Sequence, residues 1–236
     1  LCSPYADASH KATSKGAFAF SVLRRINANA QYFQAPKREN ALASCLAGRK
    51  INIFCYSSLI HMAKLVPENH PALHTIAEEV TPEELQSGAA TKLVKDMRSA
   101  LKSYNVDGFI AVAIAAPQIG ISKRIFLIDD QHSDRDDIPS LVAINPSIVK
   151  FSKRTHLVGE GCLSVPDKYG EVRRHLNVTL RAMDEHGEWY ERGAGGLLAQ
   201  IIQHECDHLD GILFTDRAEH VYTTAELGDR KLREAD

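Results

Sequence analysis

The chain has 236 residues, 44% of them hydrophobic and 25% charged, with a formal net charge of −2. This composition suits one globular domain with an extension and excludes a disordered chain or a coiled coil. Five cysteines at positions 2, 45, 55, 162 and 206 are too few and too scattered for a disulfide scaffold. No apolar run reaches the roughly 20 residues a membrane helix needs, so no membrane partner is expected, and no specific nucleic-acid partner is expected either.

The near-neutral total conceals a division. Residues 1–66 carry nine Lys or Arg against Asp7 and Glu39, a balance of +7. Residues 67–236 carry 19 basic against 28 acidic side chains, a balance of −9. The expected organisation is therefore a basic extension, 1–66, and a main domain, 67–236. Within the extension Ala19, Val22, Leu23, Ile26, Ala30 and Phe33 form one helical stripe, with Arg24 and Arg25 largely off it. A basic amphipathic helix without acids suits an organelle transit segment; the alternative is a helix docked on the domain.

Ile51–Val66 reads as one or two short strands. From Pro82 to Tyr104, residues Leu85, Ala89, Leu93, Met97, Leu101 and Tyr104 recur at helical spacing. Strand-like runs follow at Phe109–Ala116, Arg124–Ile128 and Leu141–Phe151. Val172–Met183 reads as one long half-exposed strand, with Glu188–Glu191 returning after the turn Asp184-Glu185-His186-Gly187. Leu197–Leu209 reads as a helix, and Arg217–Asp236 as a polar final helix. Helices and strands mix without βαβ alternation, which predicts an α+β fold of antiparallel or mixed sheets around a central helix.

The chemistry concentrates in that helix, in Gln203-His204-Glu205-Cys206-Asp207-His208. Positions four apart share a helix face, so the imidazoles of His204 and His208 can reach one metal ion. Glu205, one step round, can touch a water on that ion. Two ordinary helical histidines beside an acid would look the same. A third ligand is needed, with one position left open. No histidine follows at the metzincin spacing. Glu226 lies about twenty residues on but in a charged tail, and Cys162 in Glu160-Gly161-Cys162-Leu163-Ser164 is the better candidate. Cys206, two positions from His204, is expected in the core.

These motifs together resemble the peptide deformylase family. Its second and third motifs, EGCxS and QHExDH, match Glu160–Ser164 and Gln203–His208, and its first, GxGxAAxQ, has a counterpart in Ala111–Gln118. The resemblance runs from about His70 to about Asp216. It implies an enzyme that removes the formyl group from the N-terminal methionine of nascent chains, releasing formate. It further implies Cys162, His204 and His208 as ligands of one divalent metal, Fe(II) physiologically, with Zn(II), Ni(II) or Co(II) possible. Glu205 is implied as general base and acid, with Gln118 and the Leu163 N–H stabilising the oxyanion. Val112 and Ala113 would pair with the peptide, and Val158, Leu197 and Ile201 would line the methionine pocket. Gln200 falls where an aliphatic residue is common, and Asp207 with Arg174 is a candidate supporting pair.

Formylated methionine belongs to bacterial-type translation, so a mitochondrion or plastid is the expected location, or the cytoplasm if the extension is structural. The ribosome is a candidate partner. One departure stands out: Ala111 and Ala113 replace both glycines of the first motif. Their methyls are expected to narrow the groove, and an alanine held at positive φ would add about 1 kcal/mol of strain. The competing reading is therefore a metal-loaded, peptide-binding module with little turnover. An endopeptidase of the zincin type is a third.

Overall fold

The computed structural model describes residues 64–104, 111–129, 138–223 and 225–226. The predicted stripe at Ala19–Phe33 and most of the predicted strand at 51–66 lie outside them; Lys64–Val66 is irregular.

A 3₁₀ turn at Pro71–Leu73 leads into helices α1 (Pro82–Gln86) and α2 (Ala89–Ser103). Thr81 and Glu84 form a reciprocal capping box on α1. The single helix predicted over 82–104 is broken at Ser87-Gly88, where Gly88 takes φ +77°. That left-handed residue resets the phase, so α2 buries Ala90, Val94, Met97, Ala100 and Leu101 while Ala89 is exposed.

Two antiparallel sheets follow. The five-stranded sheet has the order β1 (Ala113–Ala115), β2 (Ile125–Ile128), β3 (Leu141–Phe151), β6 (Asn177–Met183), β7 (Trp189–Gly195). The three-stranded sheet has the order β4 (Thr155–Cys162), β5 (Val165–His175), β8 (His220–Thr223). The α+β expectation is met.

The long strand predicted at Val172–Met183 is in fact the end of β5 and all of β6, in different sheets. Val172, Arg174, Val178, Leu180 and Ala182 are all buried, so the inward alternation runs through the corner at Leu176 without a break. Periodicity reports which face is buried, not which sheet receives it. Of the final helix predicted at Arg217–Asp236, residues 217–223 are instead the end of α4 (Phe214–Arg217) and strand β8 paired to β5, while 224 and 227–236 lie outside the described residues. Pairing with the edge of β5 overrides the local polarity of that stretch.

Helix α3 (Gly196–Leu209) packs against both sheets and is buried on nearly every side. Leu198, Ala199, Ile201, Ile202, Cys206 and Leu209 join Phe126, Val178 and Leu180 in one core cluster. Cys206 is thus a core thiol, and burial pushes its pKa further up. The helix stops in a Schellman motif: Ile212 N–H donates to Asp207 O at 2.9 Å and Gly211 N–H to His208 O at 3.2 Å. Gly211 sits at φ +72°, and a Cβ there would lie 2.7 Å from the Thr75 nitrogen. Gly211→Ala therefore combines left-handed strain with a backbone collision next to the helix end that carries His208. The expected loss is about 1–3 kcal/mol, read as a lowered Tm and denaturant midpoint.

Candidate metal centre

Cys162 ends β4, where a register shift after Gly161 sets it against Val165 and a two-residue turn begins at Leu163. Its thiol sits under α3, 3.2 Å from His208 Nε2. One ligand atom each from Cys162, His204 and His208 lie within 4.8 Å of one another. Among the described residues this is the group able to hold a cation. The rings of His204 and His208 meet edge to face at 4.8 Å between centroids, as residues four apart on one helix face do. The fit to one divalent ion is good: one thiolate and two imidazoles, at separations that bond lengths of about 2.0–2.3 Å can bridge after small rotations. Glu226 instead caps the backbone at Thr223 and is exposed.

The ligand charges are set by their neighbours. Burial pushes the Cys162 thiol up, but His208 and His204 beside it outweigh that and bring it well below its usual value. Burial alone would lower His204, but hydrogen bonds with Cys162 and Glu160 raise it well above the usual range. Glu160 Oε2 lies 3.0 Å from His204 Nδ1, which leaves Nε2 for the ligand cluster. Glu160 is itself held by Arg174, through Nε at 2.8 Å and Nη2 at 2.9 Å. Burial would raise this carboxyl, yet the Arg174 guanidinium and His204 hold it down at about 2. Arg174 donates its third bond to Asp207 Oδ2 at 2.6 Å, and Arg217 reaches the same oxygen at 2.7 Å. The expected Asp207–Arg174 pair is therefore real, but its main partner is Glu160, a residue singled out in sequence only as part of a motif. Its position two before Cys162, on the same strand face, was the available signal.

Glu205 is 4% exposed, and its Oε2 has no hydrogen-bond partner. Burial pushes its pKa up to about 7, against the pull of the two histidines. An orphaned buried carboxylate beside a ligand cluster is suited to exchanging a proton near neutrality. Gln118 is 2% exposed. Its Oε1 accepts the Ala115 N–H at 2.8 Å, which aims Nε2 at Cys162 Sγ, 3.5 Å away, and Ser164 Oγ, 3.4 Å away.

A cavity of about 180 Å³ opens over this cluster. Val112, Ala113, Gln118, Leu163, Leu197 and Ile201 line it, together with Glu205. Val158 is not among its walls; it lies further along β4, opposite Val172, and Gly159 with Gln200 closes the wall instead. The cavity separates two open strand edges. Val112 O accepts the Asp129 N–H at 2.9 Å, so its carbonyl faces β2 and cannot pair with a peptide in the cavity. The alternation of an antiparallel strand then turns the backbone groups of Ala113 to the open side. On the other wall, Glu171 O accepts the Glu219 N–H at 2.8 Å, so Glu171 faces β8. Its partner Gly159, and likewise Gly161 opposite Tyr169, therefore direct their backbone groups away from β5 into the cavity.

Residues 62–223, more than half of the chain, match the polypeptide deformylase family. The chain belongs to the peptide deformylase family. It is 40% identical over 135 residues to the peptide deformylase of a Synechocystis strain, covering 57% of this chain and 69% of that protein. To the chloroplastic/mitochondrial peptide deformylase 1A of Arabidopsis thaliana it is 31% identical over 202 residues, covering 80% of this chain and 73% of the relative. The solved structure of a class I type b peptide deformylase from Acinetobacter baumannii, bound to Met-Ala-Ser, superposes with a TM-score of 0.60 at 35% identity. That match covers 66% of this chain and 99% of the other. As a peptide deformylase this chain is a hydrolase, removing the N-formyl group from the N-terminal methionine of newly made polypeptides. Replacing Glu160 by Gln strips the charge that orients His204 and strands Arg174 in the interior. Glu160→Gln should weaken metal binding about 10- to 100-fold in a chelator competition and lower the Tm, while Cys162 stays in place as a ligand.

Proposed function

We propose that Cys162, His204 and His208 hold one divalent cation, Fe(II) in the cell, while Glu205, Gln118 and the Leu163 N–H carry out the deformylation. Zn(II), Ni(II) or Co(II) can occupy the same donors. When bound, such an ion supplies Lewis acidity, lowering the pKa of a water and polarising a carbonyl. Glu205 takes a proton from the attacking water, whose oxygen bonds to the formyl carbon, and returns it to the nitrogen as the C–N bond breaks. The products are formate and a free amino terminus. Gln118 Nε2, held in place by the bond from Ala115 to its Oε1, and the N–H of Leu163 at the adjacent turn stabilise the oxygen that becomes negative. Leu197 and Ile201 offer the aliphatic wall for the methionine side chain.

The observation that carries this reading is the orphaned Glu205 carboxyl, with its pKa pushed up to about 7, beside a three-ligand cluster. The test is formate release from formyl-Met-Ala-Ser by iron-loaded protein. Glu205→Ala should lower the rate roughly 10²- to 10⁴-fold with metal content retained. An unchanged rate would remove Glu205 from the mechanism.

The second reading, a peptide-binding module with little turnover, is favoured by Ala111 and Ala113, both of which line the cavity. Ala113 nevertheless lies in strand β1 with no positive φ, so the strain expected there is absent. Converting both to glycine should change kcat/KM on formyl-Met-Ala-Ser by less than about tenfold. A gain of a hundredfold would establish that the methyls occlude the groove.

Residues 1–66 we assign to targeting, placing the mature enzyme in a mitochondrion or plastid beside bacterial-type ribosomes. The support is the basic, acid-poor composition and the organellar designation of the Arabidopsis relative.

A further inference from the structure

We propose that Gln200 limits how much of a peptide this chain reads, by closing the open edge of β4 one rung beyond Gly161. The inference rests on the deformylase reading for where the peptide begins. Gln200 stands one helical turn before His204, on the face of α3 that carries the ligands. Its Nε2 donates to Gly159 O at 2.9 Å, across 41 residues of sequence.

That carbonyl is not an arbitrary partner. β4 is the outer strand of its sheet, and the pairing of Glu171 toward β8 turns the groups of Gly159 and Gly161 to the open side. The two glycines are successive rungs of one edge, about 6.8 Å apart. Gly161 adjoins Cys162, so a peptide with its formyl group at the ligand cluster meets Gly161 first. The residue two further along it would pair with Gly159. There the Gln200 amide already occupies the direction in which Gly159 O points. A second lone pair remains on that oxygen, but an added strand would have to run through the space the amide fills. Gln200 therefore ends the open edge at this rung.

The consequence is a positioning and specificity role outside the chemistry itself. Backbone recognition stops after the first two residues of the chain being processed, and longer peptides gain little from their third and fourth. A purely structural tie between α3 and β4 would affect short and long peptides alike, which separates the two.

The test measures affinity, so that it does not depend on turnover. The metal-loaded full chain is titrated calorimetrically with the deformylated peptides Met-Ala and Met-Ala-Ser-Leu, and KM is measured for their formylated forms. The wild type should bind the two peptides within about threefold of each other. Gln200→Met removes the donor and keeps the length of the side chain. It should bind the tetrapeptide about three- to tenfold more tightly, the worth of one freed hydrogen bond, with the dipeptide unchanged. Gln200→Arg keeps a donor and should behave as the wild type. A wild type that already strongly prefers the tetrapeptide overturns the proposal. So does a Met variant that shifts both peptides equally or neither, an Arg variant that follows the Met variant, or a failure of all three proteins to bind either peptide. Length-dependent binding as described, without formate release, would sink the hydrolase reading and leave this one standing.

Discussion

A single buried guanidinium ties the elements of the candidate site together. Arg174 on β5 is 4% exposed and spends its donors on Glu160 of β4 and Asp207 of α3. Burying these charges is expensive, and a pair of this kind adds little stability over a well-packed apolar substitute. What it supplies is geometry. Glu160 is two residues from Cys162 and in contact with His204, so the strand that brings the sulfur and the helix that brings the imidazoles are fixed through the same side chain. Arg217, whose side chain is 45% exposed, reaches Asp207 from the surface as a second cation, so two carboxylates meet two guanidiniums. Loss of any member leaves the others uncompensated, which makes the arrangement intolerant of drift in the distance between β4 and α3.

The same two sheets that grip α3 leave an opening above it. β1 and β4 are both outer strands, and each presents a row of backbone groups that its own sheet does not use. Open edges invite unwanted pairing unless they are short, covered or dedicated to a ligand. β1 is three residues long, and its Ala115 N–H is already taken by Gln118. Gly159 O on β4 is taken by Gln200. Of the edge groups, the Gly159 N–H and the N–H and C=O of Ala113 and Gly161 are left facing the cavity, the last two residues beside the Cys162, His204 and His208 cluster. Side-chain amides thus confine strand pairing to the point where the chemistry happens.

The chemistry-bearing part of this site was legible because its residues are close in sequence or of rare type. His204, Glu205 and His208 share one helical turn, and Cys162 stands out because so few residue types supply a thiolate. The edges of the site were not legible. Whether Val112 or Ala113 turns its carbonyl to the cavity depends on which residue of β2 it faces, and no pattern in Ala111–Gln118 encodes that register. Val158 was placed in the pocket by the family resemblance, whereas the wall is set by Gln200 crossing to Gly159. The sheet change at Leu176 and the strand at His220–Thr223 were hidden for a related reason. Alternation and polarity describe exposure, and partner choice is settled only by the rest of the fold.

The two alanines of the first motif show how register changes the meaning of a substitution. In sequence they read as two methyls added to a groove. In the structure Ala113 contributes its methyl to the core cluster beneath β1, and Ala111 packs against the cluster formed by α2 and Ile114. Side chains of a strand stand roughly perpendicular to its sheet, whereas its pairing groups lie in the plane. A peptide adding to the edge of β1 approaches in that plane and meets the Ala113 N–H and C=O, with the methyl directed toward the core. The substitutions therefore exchange chain flexibility for a fixed edge, since an alanine has fewer unfolded conformations to lose than a glycine. A stiffer edge beside an intact ligand set is compatible with turnover, and it fits a site in which Gln118 and Gln200 already restrict where a peptide can lie.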